Sequence, residues 1–331
     1  MSDQQAMLDG YFRLMNLNGA AHVYREAVAS GLLDAMTDEP LSAEALARRC
    51  ELAPRPVRLM LHVLRALALV QQDADAWRPT PLARALITGG YRDLGDAYWH
   101  HLPTFLETDA PFVRMDDTAQ SETHYQAQAA ALAWMLSAAA EEAARLLIRD
   151  LQLDGPLQVL DVGAGSGVWS LAIARARPGS TVIAVDWPAV LDVARSTAHQ
   201  MGLGENLHCL PGDYHKIDLP PRAFDLAILG NVTHLETDQA NRELAARLFA
   251  ALKPGGHLVV FDVFPTQAGG ELNGALYALG LALRTAHGQV RAAQDLERLI
   301  VTAGFTRPRH RPLHSPPRTI GMVIAEKPRD E

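Results

Sequence analysis

The stretch LQVLDVGAGSGVWSLAIARA, residues 157–176, decides how the rest of the chain is read. Val159, Leu160 and Val162 have the bulk and β-branching of a strand buried on both faces, and an amphipathic helix starts after three glycines at alternate positions. Gly163, Gly165 and Gly167 let the backbone turn sharply and let a ligand approach the main chain, while the first N–H groups of the helix lack helical partners. That is a nucleotide-type pocket. The dinucleotide fingerprint places its third glycine or alanine where this chain has Val168, which disfavours an oxidoreductase that binds NAD. Asp161 stands two residues ahead of the first glycine. A carboxylate there repels a pyrophosphate and suits a ligand carrying an ammonium and a sulfonium as well as one carboxylate.

At 331 residues the chain has room for two domains, predicted as 1–110 and 111–331. A formal charge of −8 and a pI near 5.9 argue against a surface built for phosphate backbones, so no nucleic-acid partner is expected. Cys50 and Cys209 are the two cysteines, too few for a disulfide framework or a Cys-based zinc site, and they fit a reducing cytoplasm. The N-terminus has no basic and apolar leader, and no apolar run reaches the roughly 18 residues that span a bilayer. The expectation is a cytoplasmic protein without a membrane anchor.

Apolar residues recur at helical spacing from Met7 to Ala35, as at Met7, Leu8, Tyr11, Phe12 and Met15, and again over Ala21 to Met36, which predicts two amphipathic helices. Ser42 is placed to cap a short helix ending near Cys50, Pro56 to start the helix over 56–70, and LVQQDADAWRPT to form two strands around an Asp-rich turn. Helix, turn, helix and wing is the order of a winged helix, and a DNA-binding regulator is the rival reading from another class. Against it, the second helix is apolar on most of its circumference and is expected to be buried. The adjacent His100 and His101 diverge by roughly 100° on a helix and make no chelating pair, so no metal is inferred. Residues 123–151 read as one Ala-rich helix that stops at Asp154-Gly155-Pro156.

Beyond the glycines, strand and helix alternate as in doubly wound parallel sheets. Asp186, at the tip of the strand TVIAVD, is placed to accept the ribose hydroxyls of a nucleoside, with Trp187 over the adenine. Pro254-Gly255-Gly256 is a turn at a helix exit, and 318–328 a last strand; Arg307 to Arg318 form a solvated edge. Residues 272–283 are apolar almost throughout, a core or lid helix whose Tyr277 lines a pocket for an apolar or aromatic small molecule.

The run V-L-D-V-G-A-G-S-G (159–167) resembles the first motif of class I S-adenosylmethionine-dependent methyltransferases, and the downstream matches extend the resemblance over most of residues 124–331. The N-terminal order resembles the dimerisation domain of plant-type and bacterial small-molecule O-methyltransferases. The resemblance implies an α/β protein with a Rossmann-like, mostly parallel seven-stranded sheet, a winged-helix dimerisation domain, a homodimer, and S-adenosylmethionine as cofactor. It assigns Asp213 to the adenine amino group and Tyr214 to the adenine ring, and places Asn231 among the cofactor contacts. Trp134 and Met135 stand where the family lines its acceptor pocket. N-V-T-H-L-E-T-D (231–238) resembles the family's N-V-L-H-D-W-D-D motif, which makes His234 the general base and Asp262 the acid that orients it. The family's next acid is Leu235 here, and a further Glu falls near Gln289-Val290 and is missing. The expected reaction is O-methylation of an aromatic or polyketide-like metabolite; a nitrogen or carbon acceptor, or loss of methyl transfer on the same fold, are the alternatives.

Overall fold

A computed structural model of the protein describes residues 3–89, 92–115, 122–265 and 271–330. Contacts divide it into two units, Met1–Asp96 and Ala97–Glu331. The first opens with a single helix, α1 (Asp3–Ala29), in place of the two that the spacing predicts. No proline interrupts it, and Gly10 and Gly19 cost a helix only about 1 kcal/mol each, so it continues to the turn at Gly31. Tyr24 and Ala27 are its buried residues, and Met7, Leu8, Tyr11, Phe12 and Met15 lie exposed.

β1 (Leu41–Ser42) precedes α2 (Ala43–Arg49), which Ser42 caps by accepting the Ala45 N–H at 3.1 Å. α3 (Pro54–Ala66) is followed by β2 (Val70–Asp73), β3 (Ala76–Pro79) and α4 (Pro81–Thr88), and the three strands form an antiparallel sheet in the order β1-β3-β2. α3 buries one face, Val57, Leu61 and Leu64, while Leu59 is exposed. Its apolar circumference is therefore wider than the surface this unit covers, contrary to the burial its composition suggests.

α5 (Asp96–His100) starts on the last residue of the first unit, and α6 (Leu102–Thr108) and α7 (Glu122–Asp150) follow in the second. Then come β4 (Gln158–Val162), α8 (Val168–Ala176), β5 (Thr181–Asp186), α9 (Pro188–Gln200), β6 (Leu207–Pro211) and β7 (Phe224–Gly230). α10 (Asp238–Ala251), β8 (Leu252–Val263), α11 (Glu271–Ala282), α12 (Ala293–Thr302), β9 (Thr306–Pro312) and β10 (Ile320–Glu326) complete it. The division falls after Asp96, ahead of residue 110, because the following segment packs on α11 and its exit. Trp99 lies 3.9 Å from where a Cβ on Gly280 would stand, and the Phe112 N–H donates to the Leu283 carbonyl at 2.8 Å.

The seven strands run in the order β6-β5-β4-β7-β8-β10-β9, the first five parallel and β10 antiparallel to both neighbours. Alternation along the strands serves two cores. Val159, Leu226, Ile228 and Phe261 face α7, α8 and α9, and Leu160, Val162, Leu229 and Val260 face α10 and α12. Burial of each such side chain contributes roughly 1.5–3 kcal/mol. Pro254-Gly255-Gly256 lies inside β8 instead of ahead of it: Phe224 pairs with Leu252 and Leu226 with His257, so the residues between bulge from the ladder. Strand order reverses at β4, with β5 and β6 on one side and β7 and β8 on the other, which opens a crevice at the carboxyl ends of these strands. Among the described residues, no helix is long and apolar enough to cross a membrane, and no cluster of three or more His, Cys, Asp or Glu could hold a metal ion.

Candidate active site

The floor of the crevice is the loop between β4 and α8. Gly163, Gly165 and Gly167 take φ values of +67°, +57° and +70°. At Gly163 the fit is tightest, since a Cβ there would stand 2.5 Å from Val232 Cγ2. Asp161 is buried behind this loop, with Oδ2 accepting the Ser170 hydroxyl and Oδ1 without a donor among the described residues. Burial, aided by the nearby Asp186 charge and only partly offset by Ser170, pushes its carboxyl up to about 7. Asn231 follows the end of β7 with φ +61°; its N–H donates to the Phe261 carbonyl at 2.8 Å, and its buried Oδ1 has no donor among the described residues. Two buried acceptors lacking donors suit a donor-only cation such as an ammonium.

Asp186 closes β5 with both oxygens engaged: Oδ2 accepts the Gly165 N–H at 2.8 Å and Oδ1 the Trp187 N–H at 2.7 Å. Burial raises its carboxyl despite those two bonds. Trp187 is the partly buried N-cap residue of α9. In the next loop, Asp213 Oδ1 accepts the His215 N–H at 2.9 Å and Oδ2 meets Lys216 Nζ at 2.9 Å. Burial opposes its charge, but Lys216 and the His215 N–H outweigh burial and hold the carboxyl below its ordinary value. Tyr214 leans toward the glycine loop, its Cε1 3.8 Å from the Cβ position of Gly163, and its hydroxyl donates to Glu236 Oε1 at 2.6 Å.

The carboxyl end of β7 carries the third group. His234 is buried, its Nδ1 lies 2.6 Å from Asp262 Oδ1, and its own N–H donates to Asp262 Oδ2 at 3.1 Å. Thr233 Oγ1 donates to the same oxygen, and the Val263 N–H to Oδ1 at 2.7 Å. Burial works against charge on Asp262, yet His234 and these donors overcome it and hold the carboxyl below its usual range. An ionised carboxylate only accepts, so the imidazole proton belongs on Nδ1 and Nε2 keeps its lone pair. That nitrogen faces the Tyr277 hydroxyl at 3.3 Å. The arrangement can take one proton at Nε2.

The segment where the resemblance looks for an acid holds the His234 loop by other means. The Gln289 N–H donates to the His234 carbonyl at 2.7 Å, and the buried Arg291 donates to the carbonyls of Thr233 and Glu236, each at 2.7 Å, and to Asp238 at 2.9 Å. Arg291 and Glu236 escape sequence reasoning, because nothing local in R-A-A-Q or T-H-L-E shows that they meet across more than fifty residues. Glu122 likewise carries no local signal in the sequence; its Oε1 accepts the Ala189 N–H at 2.8 Å, close in sequence to Asp186. On α7, Trp134 is exposed and Met135 partly buried, and no described contact joins either to His234 or to the glycine loop. α7 does reach that loop five residues before Trp134, where Ala129 Cβ lies 3.9 Å from the Cβ position of Gly165.

The O-methyltransferase domain family matches residues 91–306 of the chain. Acetylserotonin O-methyltransferase of Mus musculus is 30% identical over 320 residues, which cover 88% of this chain and 82% of that one. The 3-hydroxy-5-methyl-1-naphthoate 3-O-methyltransferase of Streptomyces sahachiroi is 23% identical over 271 residues, 78% of each chain. Human N-acetylserotonin methyltransferase, solved in complex with SAM, shares the fold with a TM-score of 0.73 at 20% identity over 99% of both chains.

Proposed function

This chain belongs to the O-methyltransferase domain family, and from that premise we propose that it is an S-adenosylmethionine-dependent O-methyltransferase acting on a hydroxyl of an aromatic or polyketide-like small molecule, with His234 as general base. The observation that carries this reading is the 2.6 Å contact of His234 Nδ1 with Asp262, which leaves Nε2 directed at a phenolic oxygen, that of Tyr277. A phenolic acceptor would make the same contact.

The residues of the crevice fit the cofactor. Asp161 Oδ1 and Asn231 Oδ1, without donors among the described residues, would accept from its ammonium, the loop of Gly163, Gly165 and Gly167 would run beside its chain, and Asp186 would take the ribose hydroxyls. Trp187 and Tyr214 would flank the adenine and Asp213 would take its amino group. When bound, S-adenosylmethionine supplies a methyl group on a positively charged sulfur. The chain's own residues do the rest. A phenol that titrates near 10 is mostly neutral at pH 7, so Nε2 of His234 takes the proton as the oxygen becomes nucleophilic. Asp262 keeps the imidazole oriented and favours the cation that results. Tyr277, with Trp134 and Met135 from α7, would line the acceptor's side. We also assign a homodimer, built on the first unit.

Replacing His234 by Ala should lower turnover by roughly 10²–10⁴-fold, the usual contribution of a positioned base. Calorimetric affinity for S-adenosylhomocysteine should stay near that of the wild type. Unchanged turnover would remove His234 from the mechanism.

A further inference from the structure

Glu236 lies two residues beyond His234 and is used by none of the steps above. Its carboxylate is a meeting point: Oε1 accepts the Tyr214 hydroxyl at 2.6 Å and contacts His215 Nε2 at 2.9 Å. Its backbone is equally engaged, with the carbonyl accepting from Arg291 at 2.7 Å and from Asn241 Nδ2 at 3.2 Å. The side chain is only 16% exposed, so this is not a solvated surface pair of the kind that contributes little.

Tyr214 is held at both ends. Arg247 Nη1 donates to its carbonyl at 2.5 Å, and Glu236 takes its hydroxyl. Between those anchors the ring reaches the glycine loop at the Gly163 position. His215, fixed through its N–H to Asp213, carries its ring 4.6 Å from that of Tyr214 and adds a second strut to the same carboxylate. A continuous set of contacts therefore runs from Gly163 through Tyr214 to Glu236, and through the 233–236 backbone to the pair of His234 and Asp262.

We propose that Glu236 is a positioning residue of the cofactor pocket: its carboxylate pins the Tyr214 ring against the glycine loop and ties the loop carrying Asp213 to the loop carrying His234, so that cofactor affinity depends on it far more than the chemical step does. The inference rests on the reading of this crevice as the S-adenosylmethionine site. The chemistry supports it in two ways. Burial together with the Glu236 charge and bond raises the Tyr214 hydroxyl well above its ordinary value, so it remains a donor throughout the working pH range. Burial opposes ionisation of Glu236, but His215 and Tyr214 outweigh that and hold it below its ordinary value, so the acceptor stays charged. A hydrogen bond to a charged partner is about twice as strong as a neutral one.

The test uses the full-length protein and S-adenosylhomocysteine as the probe, titrated by calorimetry into wild type, Glu236→Gln, Tyr214→Phe and the double variant. Glu236→Gln keeps the shape and removes the charge; it should raise Kd roughly tenfold or more, the scale of a lost hydrogen bond to a charged group. Its KM for S-adenosylmethionine should rise in parallel, with kcat at saturating cofactor within about threefold of wild type. Tyr214→Phe should weaken binding in the same direction, and the double variant should bind no worse than the weaker single one within about twofold, because both remove one shared contact. If wild type binds the probe and Glu236→Gln binds it equally, the inference fails while the assigned function stands. Strictly additive effects, or a loss confined to kcat, would also overturn it. A wild type that binds no S-adenosylhomocysteine would bring down the functional reading and this inference together.

Discussion

Asp161 and Asp262 are both almost fully buried carboxylates at the ends of neighbouring parts of one sheet, yet they shift in opposite directions. Burial raises both. Asp262 has the His234 imidazole at 2.6 Å and three further donors to counter it, whereas Asp161 has one hydroxyl and the unfavourable charge of Asp186. Asp161 is thus the carboxylate that still wants a cation. With its carboxyl at about 7, roughly half of the ligand-free molecules carry its proton at pH 7, and an ammonium beside Oδ1 would lower that value and expel it. Binding should therefore release about half a proton at pH 7, and affinity for S-adenosylhomocysteine should rise with pH up to about 7 and then level off. Calorimetry in two buffers of different ionisation enthalpy measures the release directly. Asp161→Asn should abolish it, and a wild-type enthalpy that does not depend on the buffer would refute the assignment. The stability of the free protein carries the opposite sign. A carboxyl raised on folding stabilises fully below its unfolded value near 3.9, and that contribution is lost as pH rises toward about 7.

The unit formed by β4, the glycine loop and α8 is where local sequence and tertiary packing agree most closely. Gly163 combines a φ of +67° with a Cβ position 2.5 Å from a Val232 methyl group, so Gly163→Ala imposes both backbone strain and a collision. Thermal unfolding should report a loss of about 2–4 kcal/mol, strain and overpacking together, and calorimetry should find binding of S-adenosylhomocysteine abolished. Gly202→Ala separates the two effects: φ is +70° but nothing lies within 4 Å, so strain alone should cost about 1 kcal/mol and leave binding unchanged. Equal losses for the two variants would show that strain, not the approach of Val232, limits this turn. These elements are legible from the chain because short-range rules decide them: apolar runs too short for helices, glycines at alternate positions, and acids at strand tips. The single helix α7 is legible for the same reason, an Ala-rich run free of breakers. What sequence reasoning cannot reach is decided across distance. Arg291 satisfies carbonyls more than fifty residues away, and Glu236 joins two loops.

At the scale of the molecule, the charge of the whole chain and the exposed surface of its first unit ask for different partners. A net charge of −8 opposes binding to duplex phosphate, and the helices and three-stranded sheet of this unit then need another use. α1 suggests one. Met7, Leu8, Tyr11, Phe12, Leu14, Met15 and Leu17 are each between 46% and 67% exposed, a broad apolar stripe at helical spacing that a lone soluble chain rarely leaves in water. A second copy of the same helix is the simplest cover, because a two-fold axis lets one stripe bury itself against its twin. Leu8 and Tyr11 lie three residues apart on one face. Charges placed at both positions would face each other across the axis, and apolar anchors at the centre of an interface commonly contribute 2 kcal/mol or more each. Sedimentation equilibrium should find wild type dimeric at micromolar concentration and the Leu8→Glu, Tyr11→Glu variant monomeric, its dissociation constant raised by about 10²-fold or more. The described residues of the candidate site all belong to the second unit, so the monomeric variant should still bind S-adenosylhomocysteine. A wild type that sediments as a monomer would leave the α1 stripe to some other cover and end the assignment of a homodimer.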